Sequence, residues 1–125
     1  LANMIDRGIV PWKDIPVLYV LGRYSVGQES EPADLLPFLA PGMHRFGHWS
    51  VCAFGKREAA CVTAGALFGG HVRVGFENNF FLPDGGLAPS NAALVEAVAS
   101  AASALGVGIC GADELRQAQA LALRR

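Results

Sequence analysis

The chain has 125 residues, enough for one domain with a core of its own. It is 52% hydrophobic and 17% charged with a net charge of −1, and its cations are scattered apart from Arg124–Arg125. That balance argues against nucleic acid or an anionic membrane as the main partner. No apolar run approaches the roughly 20 residues that cross a bilayer, and the opening Leu1–Arg7 has no basic start or apolar stretch like a signal peptide's; the three cysteines, odd in number, lead us to expect free thiols in a reducing cytoplasm. The mean hydropathy of +0.33 is high for a soluble domain of this size. With no initiator methionine, the chain reads as processed, partial or incompletely recorded.

Residues 1–9 read as the tail of a helix stopped by Gly8, with Pro11 beyond. The nearly continuous apolar run Ile15–Leu21 predicts a strand covered on both faces, ending at Gly22. The loop Arg23–Gln28 follows, and then a helix over Pro32–Leu39, which Pro37 must shorten or kink. Pro41-Gly42 breaks the chain before a second strand, His48–Phe54, closed by Gly55. An alanine-rich helix is expected over Arg57–Phe68, ended by Gly69-Gly70.

Residues 71–79 predict a third, buried strand that still carries charge. Alternation places His71, Arg73, Gly75 and Glu77 on one face and Val72, Val74 and Phe76 on the other. A buried cation and anion need partners, so the strand holds either a functional site or a structural Arg–Glu pair. Leu82–Gly86 is turn chemistry. Ser90 is placed to cap the longest helix, which runs to about Leu105 with Gly106 at its C-terminus and Leu94, Val98, Ala102 and Leu105 as its apolar face. A last helix, Ala112–Leu123, has Asp113 and Glu114 in its first turn.

Strand followed by helix, three times over, fits consecutive βα units. Three parallel strands are too few for an open doubly wound sheet or a closed barrel, so the counts point to a piece of a larger α/β domain. In a (β/α)8 barrel the active site lies at the C-terminal strand ends. Glu77 stands at such an end, and Arg73 is long enough to reach a carboxylate or carbonyl there. Gly55, Lys56 and Arg57 hold the matching end of the second strand. They read either as a receiver of phosphates or a carboxylate, or as a solvated helix start, the commoner case. His44 and His48 are four apart but lead into a strand, which disfavours a metal pair. His71 and Gly69-Gly70 fall at the opposite end. Cys52, Cys61 and Cys110 share no metal spacing and read as buried free thiols.

The run Gly69–Asn79, followed by Asp84-Gly85 and Ala88–Val95, resembles the β-keto acid cleavage enzymes. Trp49–Gly55 and Val20-Leu21-Gly22 match the same family upstream, in order. The resemblance implies a (β/α)8 TIM barrel, of which residues 1–125 supply about the last three βα units plus a C-terminal helix. It implies condensation of a β-keto acid with acetyl-CoA to give acetoacetate and a new acyl-CoA, a bound zinc ion, and a homo-oligomer at full length. By the same resemblance Glu77 is the metal-ligating glutamate and Arg73 the catalytic arginine. Asn78 stands where many members have an aspartate, and an amide can orient a partner but cannot act as a base. The family's His-x-His ligand pair occurs nowhere in the sequence. Since catalytic zinc needs about three protein ligands, the isolated chain is expected to bind zinc weakly and to lack activity. The competing reading is a non-catalytic fragment or an interaction module that covers its strand edges by self-association.

Overall fold

A computed structural model describes residues 1–12 and 15–122. Helix α1 (Ala2–Asp6) ends where Gly8 takes a positive φ of 70°, and it buries Ile5. Strands β1 (Val17–Leu21) and β2 (Trp49–Ala53) pair in parallel from Val17 against Trp49 to Leu21 against Ala53. Backbone hydrogen bonds from Val17 N–H to His48 O (3.1 Å) and from Phe54 N–H to Leu21 O (3.0 Å) close the two ends of this ladder. Strand β3 (His71–Val72) pairs with β2, giving a three-stranded parallel sheet in the order β1-β2-β3.

Between β1 and β2 the chain makes a 3₁₀ turn over Pro32–Leu35 that runs into the four-residue helix α2 (Leu36–Leu39). This is the short, kinked element that Pro37 predicts. Glu31 N–H donates to the Asp34 carboxylate at 2.8 Å, which starts the turn. Helix α3 (Glu58–Leu67) links β2 to β3, and α4 (Asn91–Ala104) packs against α3. The Ser90 hydroxyl accepts from Ala93 N–H at 3.2 Å, the expected N-cap. Helix α5 (Ala112–Ala122) follows, while Leu123 lies outside the described residues.

The core lies on one face of the sheet. Leu21, Val51 and Ala53 from the strands meet Leu35, Cys61, Val62 and Val98 from the helical layer, with Tyr19, Trp49, Phe38 and Val74 around them. The opposite face carries Leu18 and Val20, each 38% exposed, so β1 is covered on one face and not on both. Leu105 and Cys110 are also exposed, against expectation. Leu105 is the C-cap of α4, just past its last turn.

The third strand is much shorter than its sequence suggests. After Val72 one more ladder bond forms, from Arg73 N–H to Val51 O at 3.0 Å. Gly75 then takes a φ of 154°, and Asn78 and Asn79 N–H groups fold back onto its carbonyl at 2.9 and 3.2 Å. Phe76 N–H turns to the Asn91 side chain at 2.8 Å. Donors spent on a turn cannot extend a sheet. Glu77 therefore stands on a turn beyond the strand, and both it and Arg73 are solvent-exposed.

Candidate active site at the C-terminal strand ends

Three loops meet where the strands end. Gly22 opens the first, with a φ of 76° and Glu29 O so near that a Cβ would lie 2.8 Å from it. The Ser30 hydroxyl, buried, donates to Phe54 O at 2.7 Å and so ties this loop to the end of β2. Gly55 opens the second with a φ of 90°, and a Cβ there would lie 2.8 Å from Gln28 O. No side chain fits either place without displacing backbone. Gly55 N–H also donates to Asn78 O at 3.3 Å, which joins the second loop to the third.

The third loop, residues 73–81, carries most of the residues singled out from sequence. Arg73 and Glu77 form an ion pair four residues apart. Asn78 lies under them, 8% exposed. Its Nδ2 faces Cys52 Sγ at 3.8 Å, and its buried Oδ1 has no hydrogen-bond partner among the described residues. Burial pushes the Cys52 thiol up, with Arg73, Asn78 and Arg23 opposing and Glu58 adding to the shift. Cys61 is pushed up to about 11, again chiefly by burial. Burial thus opposes thiolate formation at both residues.

Lys56 and Arg57 stand at the rim. The Lys56 ammonium sits 4.9 Å from the centre of the Phe81 ring, a cation–π contact. Arg57 is ion-paired with Glu31 across the first loop. The Arg23 guanidinium lies 5.8 Å from the Phe54 ring centre. The structure thus gathers Arg73, Glu77, Asn78, Gly55 and Lys56 at one end of the sheet, with Arg57 at the margin. His48 and His71 stack at the other end, ring centres 4.3 Å apart.

The charge that is buried is one the sequence reading passed over. Glu58, first residue of α3, is 1% exposed. Its carboxylate accepts from Gly75 N–H and from Asn79 Nδ2, each at 3.2 Å, and burial raises its pKa while both hydrogen bonds oppose the rise. Asn79 is oriented by Phe81, donating to Phe81 O at 2.6 Å and accepting from Phe81 N–H at 3.0 Å. A signal for Glu58 exists in the sequence. Cys61, Val62 and Gly65 form the buried stripe of α3, and Glu58 lies on the same stripe at i−3, i−4 and i−7.

A metal centre is a separate matter. Among the described residues no three His, Cys, Asp or Glu side chains converge as a metal would require. Glu77 is one carboxylate, and it already faces a guanidinium. The residues present do not by themselves fit a catalytic zinc.

The sequence is also similar to known proteins. A 3-keto-5-aminohexanoate cleavage enzyme of Fusobacterium nucleatum is 39% identical over 90 residues, covering 72% of the chain and 33% of that relative. A 3-dehydrocarnitine:acetyl-CoA trimethylamine transferase of Rhizobium meliloti is 39% identical over 88 residues, 69% of the chain and 29% of the relative. A 3,5-dioxohexanoate:acetyl-CoA acetone transferase of Paraburkholderia graminis is 29% identical over 122 residues, 94% of the chain and 38% of the relative. The chain thus spans about a third of the length of the curated relatives it matches. The family model for beta-keto acid cleavage enzymes matches residues 1–121, and the chain belongs to that family.

Proposed function

We propose that this chain supplies the C-terminal third of a (β/α)8 barrel that condenses a β-keto acid with acetyl-CoA, giving acetoacetate and a new acyl-CoA. The observation that carries the reading is the cluster of Arg73, Glu77 and buried Asn78 at the C-terminal strand ends, within the stretch matched by the family model. The planar fork of the Arg73 guanidinium suits the carboxylate of a keto acid. Asn78 lies beneath the Arg73–Glu77 ion pair as a buried amide whose oxygen has no partner among the described residues. It cannot take a proton, so any base in the reaction comes from elsewhere. Lys56, with Gly55 and Arg57, forms a cationic rim for coenzyme A phosphates. Two relatives are named for acetyl-CoA transfer, which supports acetyl-CoA as the co-substrate.

The resemblance also implies zinc, with Glu77 as a ligand. One carboxylate does not make the site, so the remaining ligands belong to a part of the barrel outside these residues, and no step is assigned to metal held by this chain alone. The test is complementation. The purified chain alone is expected to form no acetoacetate from acetyl-CoA and β-keto acids, and to bind zinc more weakly than micromolar. Combined with the other two-thirds of the Fusobacterium relative, it is expected to form acetoacetate. Glu77→Gln in the complex should cut the rate by roughly 100-fold or more, as loss of a metal-site group does. An active complex that is indifferent to Glu77→Gln, or tight one-to-one zinc binding by the chain alone, would sink the assignment.

A further inference from the structure

We infer that Glu58 is a positioning residue for this site. Its buried carboxylate fixes the turn that presents Arg73, Glu77 and Asn78. The inference deepens the proposed function and depends on it for its catalytic meaning, but the geometry stands on its own.

Glu58 sits at the start of α3, directly after β2, while the turn it holds follows β3. Its Oε1 accepts from Gly75 N–H and its Oε2 from Asn79 Nδ2, so one carboxylate brackets the turn at both ends. The three intervening residues are Phe76, Glu77 and Asn78. Two further bonds act on the same turn. Gly55 N–H holds Asn78 O, and Asn91 Oδ1 holds Phe76 N–H. With those anchors in place Glu77 is the one residue of the turn whose side chain points outward to Arg73.

The choice of a carboxylate has a physical reason. Burying Glu58 is unfavourable, which its raised pKa reflects. A glutamine of the same shape could not replace it fully. Phe81 fixes the Asn79 amide so that Nδ2 faces residue 58, and Gly75 presents a second N–H. Two donors need two acceptors, and a glutamine amide has only one oxygen. The Glu58 carboxylate bonds Gly75 and Asn79, while Glu77 pairs with Arg73, so Glu58 acts through the turn.

The experiment is NMR on the 125-residue chain. Amide exchange is followed for residues 75–79, β2, α3 and α4, together with the Arg73 side-chain Nε–H and the Glu77 carboxylate carbon resonances. Glu58→Gln is expected to speed exchange in 75–79 by roughly tenfold or more. It should shift the Arg73 and Glu77 signals and leave protection in α4 unchanged. Asn79→Ala, which cuts the clamp from its other end, should give the same selective pattern. Leu94→Ala, a core truncation in α4, should raise exchange in the helices without moving the Arg73 and Glu77 signals. Unchanged Arg73 and Glu77 resonances in Glu58→Gln, or exchange accelerated equally everywhere, would overturn the inference. So would loss of the fold in both Glu58→Gln and Asn79→Ala, since Glu58 would then hold the domain and not the turn. These readouts need no turnover, so failure of the clamp is separable from failure of acetoacetate formation in the complementation test.

Discussion

Burial separates the charged residues of this chain by role. Arg73 and Glu77 drew attention as ions on an apolar strand, yet both are solvent-exposed, while the buried charge is Glu58. Alternation along 71–79 put Val74 against the core as expected, but β3 is not buried, and Val72 on the same face is 39% exposed. Alternation could not show that Gly75 would adopt a φ of 154° and that the chain would turn there, because glycine permits that conformation without requiring it. Glu58 was legible only through its spacing from Cys61, Val62 and Gly65. A carboxylate in the first turn of a helix has an ordinary explanation in the helix dipole, and that explanation hid it. At the far end of the sheet, burial and then His48 lower the pKa of His71 below its ordinary 6.5. The folded state therefore binds fewer protons at His71 than the unfolded state does. Stability from this group is fully present above pH 6.5 and is lost as pH falls from there through the folded pKa. Melting temperatures taken from pH 7 down to 5 should fall, and His71→Gln should flatten that part of the curve. An unaltered slope in the variant would assign the fall to other groups.

The existence and order of the main elements were readable in physical terms. Gly8, Gly69 and Gly106 end helices with φ of 70°, 87° and 76°, Ser90 caps α4, and Pro37 keeps α2 short. Boundaries set by tertiary contact were not readable, β3 above all. The close packing of α3 on β2 was also hidden. Gly65 falls mid-helix, where glycine normally costs stability relative to alanine. Here a Cβ on residue 65 would overlap Val51 Cγ1, and Val51 is fully buried against Leu21 and Leu35. Gly65→Ala thus sets a propensity gain of about 1 kcal/mol against an overpacking penalty of about 1–3 kcal/mol. Steric overlap should win. Urea unfolding of the variant should show net destabilisation of up to roughly 2 kcal/mol, whereas a stabilised Gly65→Ala would mean that α3 can move away from β2 without loss.

At the scale of the whole molecule the sheet has two unlike faces. The helical layer covers Tyr19, Leu21, Val51 and Ala53, while Leu18 and Val20 on the other face of β1 lie outside the core cluster and are each 38% exposed. In the proposed barrel that face would be the packed interior, closed by strands that this chain does not contribute. Alone, it is apolar surface beside unpaired strand edges, and both favour association. The purified chain should therefore run in sizing chromatography with light scattering as a species heavier than its 13.1 kDa. Placing charge on the uncovered face with Leu18→Lys and Val20→Lys together should return it to the monomer mass. Neither side chain contributes to the core cluster, so the circular dichroism spectrum should be unchanged. Addition of the complementary two-thirds of the relative should convert the heavier species to a one-to-one complex, because the same face cannot serve both contacts. A wild-type chain that is monomeric throughout would mean that β1 does not present Leu18 and Val20 to solvent in the isolated chain, and the barrel-interior assignment of that face would lose its support.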